Sequence, residues 1–272
     1  LGVVGHQHPT LGGGQVLVAK ETEAACVAPG AQRLAVQGSP HRMGGIFDDA
    51  HAVGASLNGK ALGAWGDAGC FSFFGNKNLT TAEGGMLVTD DPEIAEKVRV
   101  LRSHGMTTLT WDRFKGHAST YDVVAQGYNY RMDELRSALG REQLKRIPAG
   151  NARRGELLNL YRELLGQEVP AIRVPFAQER GQSSYHIMPA LLPSGADKPA
   201  FMEQMKQQGI QTSWHYPPVH RFSVYKEAYA SRPNPLPVTD EVAQREVTLP
   251  LYPTMTDEQV AWVVESVVSA LQ

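Results

Sequence analysis

The sequence predicts an α/β protein: part of a large sheet-and-helix domain, followed by a smaller α+β domain. Three observations carry that reading. Short apolar runs, IFDD, CFSFFG and MLV, stop at acidic or glycine-bearing turns, as strands that end in loops do. A proline-initiated helix and a long helical stretch follow them. After about residue 168 the texture changes to short strands alternating with short helices.

Residues 1–45 stand apart. They hold nine of the 27 glycines, three histidines and five charged residues. The run QVLVAKETEAACVA reads as a short helix, although its apolar residues keep no clean 3.6 period. TLGGGQ lacks the spacing of a phosphate-binding fingerprint and reads as a turn. This segment is expected to be atypical, or even not to be natural coding sequence.

From Gly45 the pattern is regular. GGIFDDAHAVGA reads as a short buried strand ending at Asp48. DAGCFSFFG reads as an aromatic strand ending near Phe74, with Ser72 and Phe74 on one side and Phe73 on the other. A third strand covers Met86 to Val88. Asp91, Pro92 and Glu93 form a helix start, Ile94, Val98 and Leu101 its apolar stripe, and Gly105 its end. A loop with Trp111 and Tyr121 leads to a helix capped by Asp133, with Met132, Leu135, Leu139 and Ile147 at helical spacing. Pro148 and Gly150 are expected to interrupt it, and a second run covers Asn151 to Leu165. YHIMPALL and IQTSWHY read as strands around a helix at about Pro199–Gln208. TMTDEQVAWVVESVVSALQ reads as an amphipathic helix with a Thr256/Gln259 capping box. The expected division is 1–45 as an atypical segment, 46–150 as part of the large domain, and 151–272 as a linker helix and the small domain.

Composition narrows the function. The chain has 272 residues, 42% of them apolar, and a net charge of −2, so no basic field points to nucleic acid or a membrane surface. Two cysteines, Cys26 and Cys70, make no disulfide framework, which fits a reducing cytoplasm. No apolar run is long enough to span a bilayer, and no secretion signal is seen.

Lys77 follows the aromatic strand at a place where a strand end opens onto a site. A lysine buried there loses its proton more easily and can attack an aldehyde; the plain alternative is a solvated surface lysine. Asp48 closes a strand where α/β sheets bind ligands, and a carboxylate there can keep a pyridine nitrogen protonated; a turn or cap aspartate is the plain reading. His51 could contact a ring substituent or be an ordinary core histidine. Ser72 could hold a phosphate or be a strand serine.

Ordered motifs decide between these readings. IFDDAHAVGA, FSFFGNKNLTTAEGGMLVTDD, RSHG, GYNYRMDELRSALGREQL, HYPPVH and LPLYPTMTDEQV together resemble the DegT-type nucleotide-sugar aminotransferases. These enzymes belong to the aspartate-aminotransferase-like fold type I. The family pattern reads acid-Asp-Ala-Ala-His/Gln, then Ser-Phe-x-x-x-Lys-x-[ILM]-x-x-x-Glu-Gly-Gly, then Gly-[YH]-Asn-Tyr-Arg-[ML]. The resemblance runs from about Gly45 to the C-terminus. It implies a PLP-transferase fold with a mostly parallel large-domain sheet, and pyridoxal 5′-phosphate (PLP) as cofactor. By the same match Lys77 is the Schiff-base lysine, Asp48 the partner of the pyridine nitrogen, His51 the contact near the ring hydroxyl and Ser72 a phosphate ligand. Asn129 corresponds to an asparagine that reaches the phosphate of a neighbouring subunit, which implies a homodimer with shared active sites. Tyr130, Arg131, His215 and Tyr216 correspond to substrate-site positions.

The implied reaction moves an amino group from an amino acid such as L-glutamate to a keto group on a nucleotide-linked sugar. A dehydratase branch carries His in place of the lysine, so Lys77 favours transamination. A non-catalytic, sensor-like member and an unrelated α/β binding domain are the alternatives. Two departures stand out. Asp49 occupies a position where the family has a small residue. The family also carries a longer run ahead of the Asp48 motif, including the helix N-terminus that holds the phosphate, so the chain is expected to be an N-terminally truncated member with an incomplete sheet.

Overall fold

The structure is a computed structural model and describes residues 15–19, 45–107, 120–178, 181–230 and 236–272. Residues 10–14 of the TLGGGQ run, Cys26 and Trp111 lie outside the described residues, as does most of the 1–45 segment. The chain divides into two compact units, Leu1–Ala149 with Arg180–Ser184, and Gly150–Glu179 with Tyr185–Gln272.

The first unit is built on a four-stranded sheet. Its strands are β1 (Gln15–Ala19), β2 (Ile46–Asp48), β5 (Ala68–Ser72) and β6 (Gly85–Thr89), in the order β1-β6-β5-β2. β2 and β5 are parallel, whereas β5–β6 and β1–β6 are antiparallel, so β2–β5 alone carries the parallel character among the described strands. Gln15–Ala19, expected to start a helix, is a strand; its backbone pairs antiparallel with β6, Leu17 opposite Leu87. β2 is not the buried strand expected. Ile46 is 65% exposed, because β2 is the edge strand of the described sheet. β3 (Ser56–Leu57), β4 (Lys60–Ala61) and β7 (Gly181–Gln182) form a second, three-stranded sheet in the order β4-β3-β7.

Helix α1 (Pro92–Leu101) begins as its sequence dictates. The Asp91 carboxylate accepts from the Glu93 and Ile94 backbone N–H groups at 2.8 and 3.3 Å, satisfying donors that the first turn leaves open. Past its end the chain turns sharply at Gly105 (φ +73°), where a Cβ would lie 1.8 Å from the Ala125 carbonyl oxygen.

Helix α2 (Glu134–Glu168) is one continuous element of 35 residues, not two runs broken at Pro148. The proline deprives the Leu144 carbonyl of its donor, but Leu144 is half-exposed and water can replace the bond. Packing on both sides of the proline keeps the helix going: Ile147 is buried with Phe73 and Leu79, and Leu157, Leu158, Tyr161 and Leu165 are buried at helical spacing. Leu135 and Leu139, expected on the buried stripe, are exposed. The expected Asp133 cap is present, its carboxylate accepting from Arg136 N at 2.8 Å.

In the second unit, β8 (Met188–Leu191) and β9 (Glu246–Leu249) pair antiparallel. Helices α3 (Lys198–Gln207) and α6 (Asp257–Ala270) pack with this ribbon and α2 around Leu157, Tyr161, Met188, Phe201, Val247 and Val267. Among the described residues two further α-helices, α4 (Ser223–Ala230) and α5 (Pro237–Arg245), lie between them in sequence, and no sequence signal named above announces them. IQTSWHY is not a strand; its backbone pairing with β9 is the isolated Ser213–Thr248 bridge. The α6 capping box is formed in both directions, Gln259 N donating to Thr256 Oγ1 and Thr256 N to Gln259 Oε1.

Candidate active site

In the first unit the β2–β5 pair sets the geometry. Asp48 is register-matched with Cys70, and Ser72 follows two residues on, so the three share one face of the sheet. Phe47, Asp49, Gly69 and Phe71 take the other face. A Cβ at Gly69 would lie 2.7 Å from Asp49 Oδ2 and 2.4 Å from the Gly63 Cα, so only glycine lets this face close.

Asp48 is exposed and its Oδ1 accepts from Ala50 N at 3.1 Å, an Asx turn that leads directly to His51. Lys77 arrives from the other side. β5 ends at Ser72, two residues earlier than expected. The chain then folds back, with Thr81 N donating to Phe73 O and Phe73 N to Gly84 O. Phe73 and Leu79 are buried and pin this loop, whereas Phe74 is exposed, because beyond the strand end the alternation no longer holds. Lys77 N donates to Phe74 O at 3.0 Å in the turn so formed. The result is a contact between two residues that the sequence singles out: Lys77 Nζ lies 2.7 Å from His51 Nε2.

A third residue, one that sequence reasoning missed, ties these turns together. The Ser184 hydroxyl donates to the His51 carbonyl at 2.6 Å, and the Ser184 carbonyl accepts from Asn78 Nδ2 at 2.7 Å. Ser184 is 133 residues from His51 and no local motif announces it. Ser72 is buried, and its Oγ accepts from Phe74 N at 3.3 Å, which leaves the hydroxyl proton to donate elsewhere.

The neighbouring Asp49 is 6% exposed and its Oδ2 has no hydrogen-bond partner among the described residues. Burial raises its carboxyl above the usual range, and the Asp48 charge adds to the effect.

The other predicted positions lie elsewhere. Asn129 and Tyr130 sit on a segment held against the end of α1, where Tyr128 N donates to Leu101 O and Tyr130 N to Arg102 O. Tyr128 and Tyr130 stack at 4.8 Å. Burial lowers the Arg102 guanidinium from its usual value, with Arg99 and Arg131 contributing, so cationic groups cluster beside Asn129.

His215 and Tyr216 belong to the second unit and meet edge-on at 4.7 Å. His215 Nδ1 is 2.7 Å from Thr248 Oγ1, and burial raises the Tyr216 phenol. The second unit also contains an open cavity of about 500 Å³ bordered by Ile210, Thr212, Thr248, Tyr252, Gln259 and Trp262.

The residues present fit the cofactor that the resemblance implies. An amine, an imidazole, a carboxylate and a hydroxyl able to donate are the groups that an aldehyde, a ring hydroxyl, a ring nitrogen and a phosphate call for. Among the described residues no helix is long and apolar enough to cross a membrane.

Comparison with known proteins gives the same direction. A sequence profile of the DegT/DnrJ/EryC1/StrS aminotransferase family matches residues 38–268. The spore coat polysaccharide biosynthesis protein SpsC of Bacillus subtilis is 36% identical over 231 residues, covering 82% of this chain and 59% of that protein. Among solved structures, PseC of Helicobacter pylori, an aminotransferase involved in the biosynthesis of pseudoaminic acid, aligns with a TM-score of 0.75 and 29% identity over 83% of this chain and 59% of its own. The PLP form of Spr1654 of Streptococcus pneumoniae, described as a sugar aminotransferase, aligns with a TM-score of 0.72 and 26% identity, over 83% of this chain and 57% of its own. The chain therefore spans less than two thirds of the length of the relatives it matches.

Proposed function

The chain belongs to the DegT/DnrJ/EryC1/StrS aminotransferase family, and on that premise we propose that it supplies the catalytic lysine of a PLP-dependent transaminase acting on the keto group of a nucleotide-linked sugar, with L-glutamate as amino donor. It shares the fold type I architecture of the sugar aminotransferases it aligns with. Residues 46–150 would be its share of the cofactor-binding domain, and 151–272 the linker helix and small domain.

The observation that carries the reading is the 2.7 Å Lys77–His51 contact beside Asp48. Two nitrogens at that distance share one proton: either an ammonium donates to a neutral imidazole, or the imidazole N–H donates to a neutral amine. Both arrangements place next to the Lys77 amine a group that can take up or return a proton, which a lysine needs in order to act as nucleophile and then as general base.

Asp48 would hold the cofactor ring nitrogen, His51 the ring hydroxyl, Ser72 the phosphate and Lys77 the aldehyde carbon. When bound, the cofactor supplies an electron sink and a temporary carrier for the amino group. Asn129 and its cationic neighbours would face the site of a second copy in a homodimer. Tyr130, Arg131, His215 and Tyr216 would orient the sugar nucleotide.

A single-turnover assay tests the reading. Protein incubated with pyridoxal 5′-phosphate and L-glutamate should release 2-oxoglutarate stoichiometrically with bound cofactor, and Lys77→Ala should release none. Cofactor binding without any oxo acid from a panel of amino donors would overturn the catalytic reading in favour of a sensor-like member.

A further inference from the structure

β9 carries polar residues where a core strand ordinarily would not. Val247 and Leu249 enter the hydrophobic core, and the alternate residues Glu246 and Thr248 are buried on the opposite face, at 7% exposure each. Buried polar groups need partners, and here His215 supplies them. The Glu246 carboxylate accepts twice: Oε2 from the His215 backbone N–H at 2.9 Å, and Oε1 from the Thr248 hydroxyl at 2.8 Å. Thr248 Oγ1 in turn lies 2.7 Å from His215 Nδ1. The Ser213–Thr248 bridge fixes the backbone on which this closes, with bonds of 2.7 and 3.1 Å. Beyond Glu246 stands the Lys198 ammonium, which donates to Ala243 O at 3.1 Å and lies 4.3 Å from the centre of the Trp214 ring. Its attraction to Glu246 opposes the lowering of its pKa by burial.

With Glu246 as a carboxylate, the protons along this chain have one arrangement. A carboxylate has no proton to give, so the Thr248 hydroxyl proton is spent on Glu246. Thr248 Oγ1 can therefore only accept from His215, and the proton on that bond must belong to Nδ1. We propose that Glu246 and Thr248 are positioning residues that hold neutral His215 in its Nδ1–H tautomer and so make Nε2 its acceptor nitrogen. In a free imidazole side chain the Nε2–H form is the more common, so the arrangement reverses the default. An acceptor at Nε2 suits a donor group such as a sugar hydroxyl. That consequence rests on the reading of His215 as a substrate-site residue, whereas the tautomer does not.

Long-range ¹H–¹⁵N correlation on the histidine-labelled full chain reads the tautomer directly, with the signal assigned by His215→Gln and recorded above the imidazole titration. The expected result is a pyrrole-type Nδ1 and a pyridine-type Nε2. Thr248→Val keeps the shape but removes the acceptor, and should move the tautomer ratio by roughly fivefold toward Nε2–H, the factor of one net hydrogen bond. Thr248→Ser should keep the native pattern, which separates loss of the hydroxyl from general damage to β9. An Nε2–H form in the native protein, or a Thr248→Val spectrum unchanged from it, would overturn the proposal. The measurement needs neither cofactor nor turnover, so it can fail while transamination stands, and succeed if Lys77 proves inert.

Discussion

Replacing Asp49 with alanine should stabilise the protein, and the gain should depend on pH. Asp49 Oδ2 is buried with no hydrogen-bond partner among the described residues, and such an orphan costs about 1–3 kcal/mol. The backbone bonds that Asp49 makes survive the change, since its N–H donates to Cys70 O at 2.9 Å and its carbonyl accepts from Ala52 N at 2.8 Å whatever the side chain. What is lost is the packing of the carboxylate against Gly69, on the order of 1 kcal/mol for a group of that size. The net expectation is a gain of about 1 kcal/mol at neutral pH, seen as a rise of about 2–4 °C in the melting temperature.

The pH dependence follows from the direction of the shift. In the unfolded chain the carboxyl ionises near 3.8, and in the folded protein at a higher pH, because burial and Asp48 oppose its charge. Between those two values the folded state binds more protons than the unfolded state, so this group makes stability fall as pH rises through the window and level off above it. The advantage of Asp49→Ala should therefore be small near pH 4 and full once the folded-state value is passed. Urea midpoints for parent and variant across that range provide the assay. A variant less stable than the parent at neutral pH, or an advantage greatest at pH 4, would refute the reasoning.

Other expectations follow from single features. Thr256→Ala removes the hydroxyl that accepts from Gln259 N at the start of α6 and should cost about 1 kcal/mol in urea denaturation, a cost that Thr256→Ser largely restores. Leu157→Ala empties a fully buried position in the core of the second unit and should cost about 2–5 kcal/mol by the same assay. Gly105→Ala forces a Cβ against the Ala125 carbonyl at positive φ; strain of at least about 1–2 kcal/mol should show as faster hydrogen exchange in residues 101–107 and 123–130. Ser184→Ala frees the His51 carbonyl and keeps the backbone bond to Asn78; it should lower cofactor affinity, read by equilibrium dialysis with pyridoxal 5′-phosphate, with less effect on the melting temperature than Leu157→Ala has.

The features legible from sequence are those with local causes. A helix cap is decided within four residues, so Asp91, Asp133 and Thr256 announce their helices, and each accepts the bond expected of it. Strand existence at Cys70 and Leu87 was legible from apolar β-rich runs. Features that depend on distant partners were not. Pro148 predicts a break, but burial of Ile147 on one side and Leu157 on the other carries the helix through it. Ile210 and its successors have a strand-like composition, yet their backbone pairing with β9 is a single bridge at Ser213, so no ladder forms. At the candidate site, ordered motifs pointed to Lys77 and His51 by resemblance, and the fold puts their nitrogens 2.7 Å apart. Ser184, which braces both turns, and Glu246 and Thr248, which brace His215, act across 31 to 133 residues and leave no local signal.

The account turns on Lys77 as the residue that takes the cofactor. Borohydride reduction of the protein with pyridoxal 5′-phosphate, followed by proteolysis and mass mapping, tests this at a single atom. The account predicts one dominant labelled peptide bearing the cofactor on Lys77, lost in Lys77→Ala and weakened in Asp48→Ala. Label spread over exposed lysines such as Lys145 and Lys206, with no preference for Lys77 and no change in Lys77→Ala, would contradict it.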